Sequence, residues 1–184
     1  DAEYQLLEKI RHIPKTKFLA GNADFALGIV TGNNKKYISS VKNKDNEVIL
    51  KGSDICKYHT NPNSNYIVFN PQNFQQVAPI EMYRAPEKLL YRFISSQLVF
   101  AYDDKQTLSL NSCNLVIPKL EGLHIKYILA ILNSRIAQFI YKMEFHSVKV
   151  LRSHIENIPI LDVNADMQNS IIQAVEPLIN GLPP

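Results

Sequence analysis

The sequence predicts an α+β domain with a twisted, largely antiparallel sheet, peripheral helices and a helical segment near the C-terminus. Short apolar runs bounded by Gly, Asn, Asp and Pro recur between residues 25 and 118, which is typical of strands joined by turns. Helical periodicity dominates residues 124–145 and 166–179. At 184 residues the chain is long enough to bury its own core, as one domain or one domain with a small appendage.

Charge and cysteine content narrow the class of protein. The chain has 20 Lys and Arg against 17 Asp and Glu, a net charge of +3. Nucleic-acid binding would therefore require a local cluster of basic residues. Cys56 and Cys113 form no CxxC pair, so we expect reduced thiols, with a disulfide between them as the alternative. No apolar run approaches 18 residues, and no signal peptide precedes residue 20; Asp1 resembles a cut end.

The first element is an amphipathic helix over residues 4–13. Leu6, Leu7 and Ile10 recur at helical spacing among charged residues, and Pro14 stops the helix. Two interpretations are open: the helix connects to a preceding domain, or it packs on the core of this one.

Residues 25–38 read as a strand, a basic turn and a second strand. The apolar run 25–30 stops at Gly32, Asn33 and Asn34, and resumes at 37–38 after two lysines. Glycine and asparagine suit the positive φ values of a tight hairpin turn. The predicted hairpin presents cationic and amide side chains, which suit a polyanion.

Further short elements follow this hairpin. Residues 47–50 predict a strand, and either Ser53 or Asp54 is placed to cap a brief helix after it. Residues 66–69 form another β-rich run. The polar, proline-containing stretch 70–85 predicts an irregular loop.

The middle of the chain predicts a helix and then a hairpin. Pro86 and Glu87 suit a helix start. In that helix an apolar stripe would leave Lys88 and Arg92 outside. Residues 98–102 and 108–110 then predict two paired strands joined by 103–106. Residues 115–117 predict a further strand, ended by a proline.

The C-terminal third predicts helices. Residues 124–145 repeat apolar positions at helical spacing, with a break at Asn133 and Ser134. Residues 166–179 form a last amphipathic helix. Its predicted buried positions are Met167, Ile171, Ile172, Val175 and Leu178.

Several of these stretches resemble the target-recognition domains of adenine-N6 DNA methyltransferases of the TaqI type, and the related specificity subunits of type I restriction systems. The resemblance covers roughly residues 25–179. The matching runs are Gly-Ile-x-Thr-Gly-x-Asn at 28–34, Leu-x-Gly-x-Asp-Ile at 50–55, Lys-x-x-x-Arg at 88–92, the strand ending in Tyr-Asp at 98–103, Leu-Asn-Ser at 110–112, and the runs 127–134 and 155–160.

The resemblance implies domain boundaries within the chain and places catalysis in a different domain. Residues 1–24 would be a connector helix and lead-in, 25–161 the target-recognition domain, and 162–184 a spacer or packing helix. The family's catalytic half carries a cofactor-binding glycine motif and an Asn/Asp-Pro-Pro-Tyr/Phe motif, and neither occurs here. We therefore expect no catalysis and no cofactor in this chain. S-adenosylmethionine would bind a methyltransferase domain, in the same chain or a partner subunit.

The expected partner is double-stranded DNA, in a prokaryotic cytoplasm and away from membranes. Arg can read guanine bidentately, whereas Lys mostly meets phosphate. The candidate contact residues are Asn33, Asn34, Lys35, Lys36, Tyr37, Arg84, Lys88 and Arg92. Lys51, Lys57, Lys142, Lys149 and Arg152 are candidates for positioning the DNA backbone. For each of these residues, a solvated surface group is the alternative.

Three other functions are open at this point. The chain could be one half of a type I specificity subunit, or a protein-interaction module. It could also be a metal-dependent endonuclease, because Asp103 and Lys105 have the acid-x-lysine spacing of such enzymes, with Glu81 or Glu87 as a second carboxylate. A solvated hairpin tip explains the same residues without a metal.

Overall fold

The computed structural model describes residues 1–184. The strands are β1 (Thr16–Lys17), β2 (Ala23–Ala26), β3 (Ile38–Ser39), β4 (Glu47–Leu50), β5 (Tyr66–Ile67), β6 (Lys88–Arg92), β7 (Phe100–Asp103), β8 (Leu108–Ser109), β9 (Cys113–Pro118) and β10 (Ile160–Leu161). The helices are α1 (Ala2–Arg11), α2 (Asn34–Tyr37), α3 (Ile80–Tyr83), α4 (Ile125–Leu132), α5 (Arg135–Glu144), α6 (Arg152–Glu156) and α7 (Ala165–Ile179). Two 3₁₀ turns lie at Gly52–Asp54 and Pro71–Asn73.

The strands form two four-stranded sheets and one small pair. The first sheet has the order β2-β9-β6-β7 and is antiparallel throughout. The second has the order β3-β5-β4-β8, with a single parallel pairing between β4 and β8. Strands β1 and β10 pair with each other. The predicted α+β class with largely antiparallel strands is confirmed, although the strands divide between sheets.

The first sheet is buried on both faces, as β6 demonstrates. Leu89 and Tyr91 belong to a cluster that contains residues of α1, α4, α5 and α6, which we call the helix-side core. Leu90 points the other way, into a cluster shared with the second sheet, which we call the sheet-side core. Successive strand residues point to opposite faces, so the chain stacks as three layers: helices, first sheet and second sheet.

This burial explains why the predicted helix over residues 86–94 is wrong. Residues 88–92 form the inner strand β6, paired with both β7 and β9. A strand covered on both faces needs apolar side chains at consecutive positions. Such a short apolar run cannot be told from a buried helix by its periodicity.

The predicted hairpin of residues 98–110 is also wrong in its pairing. Strand β7 pairs with β6 in the first sheet, whereas β8 pairs with β4 in the second. The connecting residues 104–107 therefore carry the chain from one sheet to the other. The strand predicted at 115–117 is confirmed within β9.

The opening hairpin of residues 25–38 is replaced by a different path. Strand β2 pairs with β9, and Ile29 and Val30 form single bridges to Leu110 and Gln76. The residues predicted to form the turn instead start helix α2, because the Asn33 side chain accepts a hydrogen bond from the Lys36 N–H at 3.2 Å. Asparagine is a good N-cap as well as a good turn residue. The N-cap won here.

Other predicted elements are confirmed. The helix expected at 4–13 is α1, whose Leu7 and Ile10 enter the helix-side core. The break between α4 and α5 occurs as expected, with Ser134 capping α5 through the Ala137 N–H. The brief helix after β4 is the 3₁₀ turn, in which Asp54 accepts a hydrogen bond from the Lys51 N–H. Both cysteines are free thiols.

Helix α7 exists as predicted, but its buried face differs. Met167 is exposed, whereas Gln168 is buried beside it. The Gln168 amide accepts from the His124 N–H and donates to the carbonyls of Gly122 and Val163. A fully bonded polar residue therefore takes a position that an apolar stripe would assign to a hydrophobe. None of the helices has both the length and the apolar character needed to cross a membrane.

His154 of α6 is buried against aromatic side chains and hydrogen-bonds to Leu151, the residue before the helix. The His154 ring stacks on Phe145 at a centroid distance of 4.5 Å and meets Tyr141 edge-on at 5.7 Å. Its Nδ1 accepts a hydrogen bond from the Leu151 N–H at 3.1 Å. Burial lowers the pKa of His154 below its ordinary value of 6.5.

This lowered pKa makes stability depend on pH in a defined direction. The unfolded chain binds the proton at a higher pH than the folded chain does. The contribution of His154 is thus complete above about pH 6.5 and is lost as pH falls toward the folded-state pKa. We expect the urea midpoint to fall between pH 7 and 5, and to fall less in His154→Gln. An equal fall in both proteins would contradict the assignment to His154.

Candidate nucleic-acid interface

The segment from Thr31 to Tyr37 is a rigid turn followed by one helical turn. Gly32 has φ +82°, in the left-handed region that favours glycine. The Thr31 hydroxyl donates to Asn34 Oδ1 and accepts from the Asn33 N–H at 3.1 Å. The side chains of residues 33–36 are left exposed, with Tyr37 half-buried.

A second loop lies against this turn. The Gln75 N–H donates to the Thr31 carbonyl at 3.3 Å, and Gln76 exchanges two main-chain hydrogen bonds of 3.0 Å with Val30. Phe74 is buried beneath them, with its ring 5.3 Å from that of Tyr37. The exposed residues of the two segments form one surface, which we call the amide–lysine surface: Asn33, Asn34, Lys35, Lys36, Gln72, Asn73, Gln75 and Gln76.

The sequence predicted only the first half of this surface, residues 33–36. Residues 70–76 were predicted as an irregular loop and nothing more. The available signal was the composition of Asn-Pro-Gln-Asn-Phe-Gln-Gln, in which amides surround one aromatic residue.

Positive charge is concentrated on this surface and in the residues that follow it. Residues 31–46 contain four lysines, at 35, 36, 42 and 44, and one acidic residue, Asp45. Four minus one gives this segment a net charge of +3, equal to the net charge of the whole chain. Lys42 donates to the Asn46 carbonyl at 2.7 Å and so shapes the loop, while Lys44 is exposed. A local cationic region of this kind attracts a polyanion.

Aromatic rings support both segments from below. Phe69 stacks on Phe74 at 6.4 Å and meets Tyr83 edge-on at 6.2 Å. The Tyr83 hydroxyl donates to the Leu27 carbonyl at 3.0 Å and accepts from the Ala78 N–H at 2.9 Å. The row of rings therefore links the amide–lysine surface to the sheet-side core, which contains Phe74 and Tyr83.

Arg84 lies beside the row of rings, with its guanidinium carbon 5.2 Å from the Phe69 ring centroid, and it binds groups of the chain itself. Its two terminal nitrogens each donate to one oxygen of the Glu47 carboxylate, at 2.7 and 2.9 Å. One of them also donates to the Gln106 carbonyl at 2.8 Å. The hydrogen bond that Arg84 donates to the Glu47 carboxylate raises the pKa of Arg84 above its ordinary value. Glu47 thus neutralises the charge of Arg84, and the bidentate donor pair of the guanidinium is occupied by a residue of the same chain.

Lys88 is the clearest correction among the candidate residues. Its side chain is fully buried on the sheet side of β6, where Nζ donates to Asp103 and to the Tyr83 carbonyl, each at 2.7 Å. Burial lowers the pKa of Lys88, and the adjacent Asp103 offsets part of that effect. Arg92 points to the same side and donates to the Ile55 carbonyl at 2.8 Å. Lys88 therefore stabilises the fold and has no route to DNA.

The endonuclease interpretation has no metal site in this chain. Asp103 is buried, and its oxygens accept from Lys88 and from the N–H and hydroxyl of Thr107. Glu87 accepts from Tyr102 instead of converging on Asp103. No three His, Cys, Asp or Glu side chains are placed to hold one metal ion.

A cleft of about 620 Å³ has a wall of paired charges. Of its carboxylates, Glu47, Asp103 and Glu176 bind Arg84, Lys88 and Lys126. The remaining Asp104 and Lys105 have opposite charges, so the cleft has no excess of basic groups for DNA phosphates. The amide–lysine surface is the better candidate for a DNA contact.

Three of the runs that resemble the methyltransferase family meet at one tight turn, Leu110–Cys113. Gly28 donates its N–H to the Asn114 side chain, and a Cβ on it would lie 2.1 Å from the Leu110 carbonyl oxygen. The Gly52 N–H donates to the Ser112 hydroxyl at 3.0 Å. These runs therefore build the frame of the domain.

Comparison with known proteins agrees with this architecture. Residues 47–160 match the family described as the TaqI-like C-terminal specificity domain. This match covers more than half of the chain and confirms the resemblance, although the run at 28–34 lies outside it. No curated protein matches the chain.

Solved structures share the fold. One belongs to a study of complex assembly and conformational transition in the type I restriction–modification system, with TM-score 0.55, 13% identity, and coverage of 97% of this chain and 43% of the other. Another is the HsdS subunit from Thermoanaerobacter tengcongensis, with TM-score 0.51, 15% identity, and coverage of 91% and 38%.

The chain spans less than half the length of either structure. The family match rests on the chain's own residues. It covers β4, β5 and β8 of the second sheet, β6, β7 and β9 of the first sheet, and helices α3 to α6. The chain belongs to the TaqI-like C-terminal specificity domains of restriction–modification systems.

Proposed function

We propose that the chain recognises a specific double-stranded DNA sequence for an adenine-N6 DNA methyltransferase or a type II restriction–modification enzyme. The observation that carries this proposal is the amide–lysine surface, whose residues 33–36 belong to the segment 31–46 with a net charge of +3. Lysines there would contact phosphates and fix the register, while amides reach base edges in the major groove. Membership of a specificity-domain family supports the same function.

Methyl transfer would then take place in another domain, in the same chain or in a partner subunit. That domain would bind S-adenosylmethionine and take the target adenine out of the base stack. Gly28 and Gly52, the glycines at close approaches, lie against main-chain atoms of this chain. The role of this chain would be to hold the duplex in register, in a prokaryotic cytoplasm.

A second candidate is the target-recognition half of a type I specificity subunit. Its support is the fold shared with the HsdS subunit. In that case α7 would belong to a spacer that contacts other subunits. A parent chain with a second similar domain would favour this version, whereas an upstream Asn-Pro-Pro-Tyr motif would favour the fused methyltransferase.

The first test is fluorescence anisotropy of a labelled random-sequence duplex at several salt concentrations. We expect affinity to fall steeply with salt, because bound lysines release counterions from the phosphates. Lys35→Glu/Lys36→Glu should weaken binding by roughly 10- to 100-fold at low salt. It should also make the salt slope shallower by about one unit per lysine.

The control is Lys9→Glu/Lys15→Glu, which changes the net charge by the same amount on exposed residues in and just after α1, the helix that packs on the helix-side core. It should leave most of the affinity intact. Equal losses in both double variants would mean that only total charge matters. Absence of salt-dependent binding in the unchanged chain would instead favour a protein-interaction module.

A further inference from the structure

The amides of the amide–lysine surface differ in how free they are. Asn33 Oδ1 accepts from the Lys36 N–H, and Asn34 Oδ1 accepts from the Thr31 hydroxyl, so both side-chain oxygens serve the turn. In the 72–76 loop, the hydrogen bonds to the turn run through the main chain of Gln75 and Gln76. The exposed amide groups there are available to a ligand.

Gln75 has a defined position over the turn. A Cβ built on Gly32 would lie 3.2 Å from Gln75 Cβ and 3.3 Å from Gln75 Oε1. The Gln75 side chain therefore lies across the glycine, beside the exposed start of α2. Buried Phe74 fixes the main chain on one side of it, and the bridge from Gln76 to Val30 fixes the other. The main chain at Gln75 is therefore ordered before binding, and only the rotamers of its side chain remain to be fixed.

Arginine, the usual reader of guanine, is absent from this surface. The chain has five arginines, and four of them bind groups of the chain itself. The pairs are Arg11–Glu144, Arg84–Glu47, Arg92 with the Ile55 carbonyl, and Arg152–Glu156. The fifth, Arg135, begins α5, whose Ala137 and Ile140 belong to the helix-side core. The exposed groups next to the turn are therefore amides and lysines.

A side-chain amide presents a donor group, the NH2, beside an acceptor group, the carbonyl oxygen, and this arrangement matches adenine. In the major groove adenine presents the N6 amino donor and the N7 acceptor, whereas guanine presents two acceptors, O6 and N7. A Gln amide can pair bidentately with adenine, but it cannot donate twice to guanine in the same pose. Neighbouring lysines contact phosphate and add affinity without selecting the base.

We propose that the 72–76 loop reads A·T base pairs in the major groove, with Gln75 as the central specificity-determining residue and Gln72, Asn73 and Gln76 beside it. The inference rests on the proposed function, since it assigns the base pairs that this same surface selects. The inference concerns base pairs that stay stacked in the duplex. The loop would contact their edges in the major groove.

The experiment is selection of duplexes from a random pool by the 184-residue chain, followed by affinity measurements on the enriched sequence. We expect enrichment of at least one A·T pair. Gln75→Ala should lower the preference for that pair by about tenfold. Binding to unselected duplex at low salt should stay the same, because phosphate contacts are untouched. Gln173→Ala, an exposed glutamine on α7, is the matched control and should change neither quantity.

A change to the base tests the same contact from the DNA side. Replacing the selected adenine by 7-deazaadenine removes the N7 acceptor and keeps Watson–Crick pairing. The unchanged chain should lose affinity by a factor similar to that of Gln75→Ala. The Gln75→Ala chain should lose nothing more, because it no longer contacts N7.

The outcomes separate this inference from the proposed function. Salt-dependent duplex binding with only G·C pairs enriched would overturn the inference and leave DNA recognition standing. The same holds if A·T preference survives Ala at all four loop amides while the variant stays folded. Absence of any salt-dependent duplex binding would overturn both.

Discussion

Gly28→Ala is expected to lower the free energy of unfolding by about 3 kcal/mol or more. A Cβ at this position would lie 2.1 Å from the Leu110 carbonyl oxygen and 2.7 Å from the Cys113 carbonyl oxygen. Both atoms belong to main chain held in the sheet-side core, so neither can move aside as a flexible side chain would. The main chain at Gly28, just after β2, must therefore shift. This shift weakens the hydrogen bond from the Gly28 N–H to the Asn114 side chain.

Urea unfolding with circular dichroism measures the loss. A matched control is Gly122→Ala, where φ is +79° and nothing lies within 4 Å of the added Cβ. That variant adds backbone strain alone, on the order of 1 kcal/mol. If Gly28→Ala were no more destabilising than Gly122→Ala, the close approach to the Leu110 turn would not be what fixes glycine at 28.

Lys88→Met is expected to lower the free energy of unfolding by about 3–5 kcal/mol. The substitution keeps an apolar stem of similar length, but it leaves the Asp103 carboxylate buried with only Thr107 as its partner. It also removes the donor to the Tyr83 carbonyl. A buried charge without its counter-ion is among the most destabilising single changes in a core.

The double variant Lys88→Met/Asp103→Leu tests the cause. It should recover part of the loss, with a coupling energy of about 1–3 kcal/mol, because no unpaired charge remains. Lys119→Met breaks the exposed pair with Asp24 and should change stability by no more than about 1 kcal/mol. Strictly additive losses at 88 and 103 would mean that the two groups do not stabilise each other.

The sequence predicted the frame of this domain better than its candidate site, for a physical reason. Gly28, Gly52 and Ser112 meet at one turn, where only particular residues satisfy the close approach and the hydrogen bonds. Such constraints leave a recognisable pattern in the chain. Gln72 and Gln75 carry no such constraint, because their side chains leave the fold. The local composition, with amides around one aromatic residue, indicates a loop, but it does not distinguish these two side chains from ordinary loop residues.

The elements that were mispredicted share another cause, which is tertiary burial. Lys88 looked like a charge on the outer face of a helix, but it lies on an inner strand whose both faces are covered. Arg84 looked free and is tied to Glu47, which lies 37 residues earlier in the chain. Local periodicity contains neither the second covering layer nor a distant counter-ion. Such assignments need the three-dimensional structure.

The main-chain attachment of the 72–76 loop has a consequence for how this domain can change. Because the bonds to Val30 and Thr31 use only backbone atoms, the identities of residues 72, 73, 75 and 76 are decoupled from folding. Substitution there can alter which DNA is selected at little expense in stability. The same scaffold can thus acquire new targets one residue at a time, with Phe74 kept as its fixed anchor.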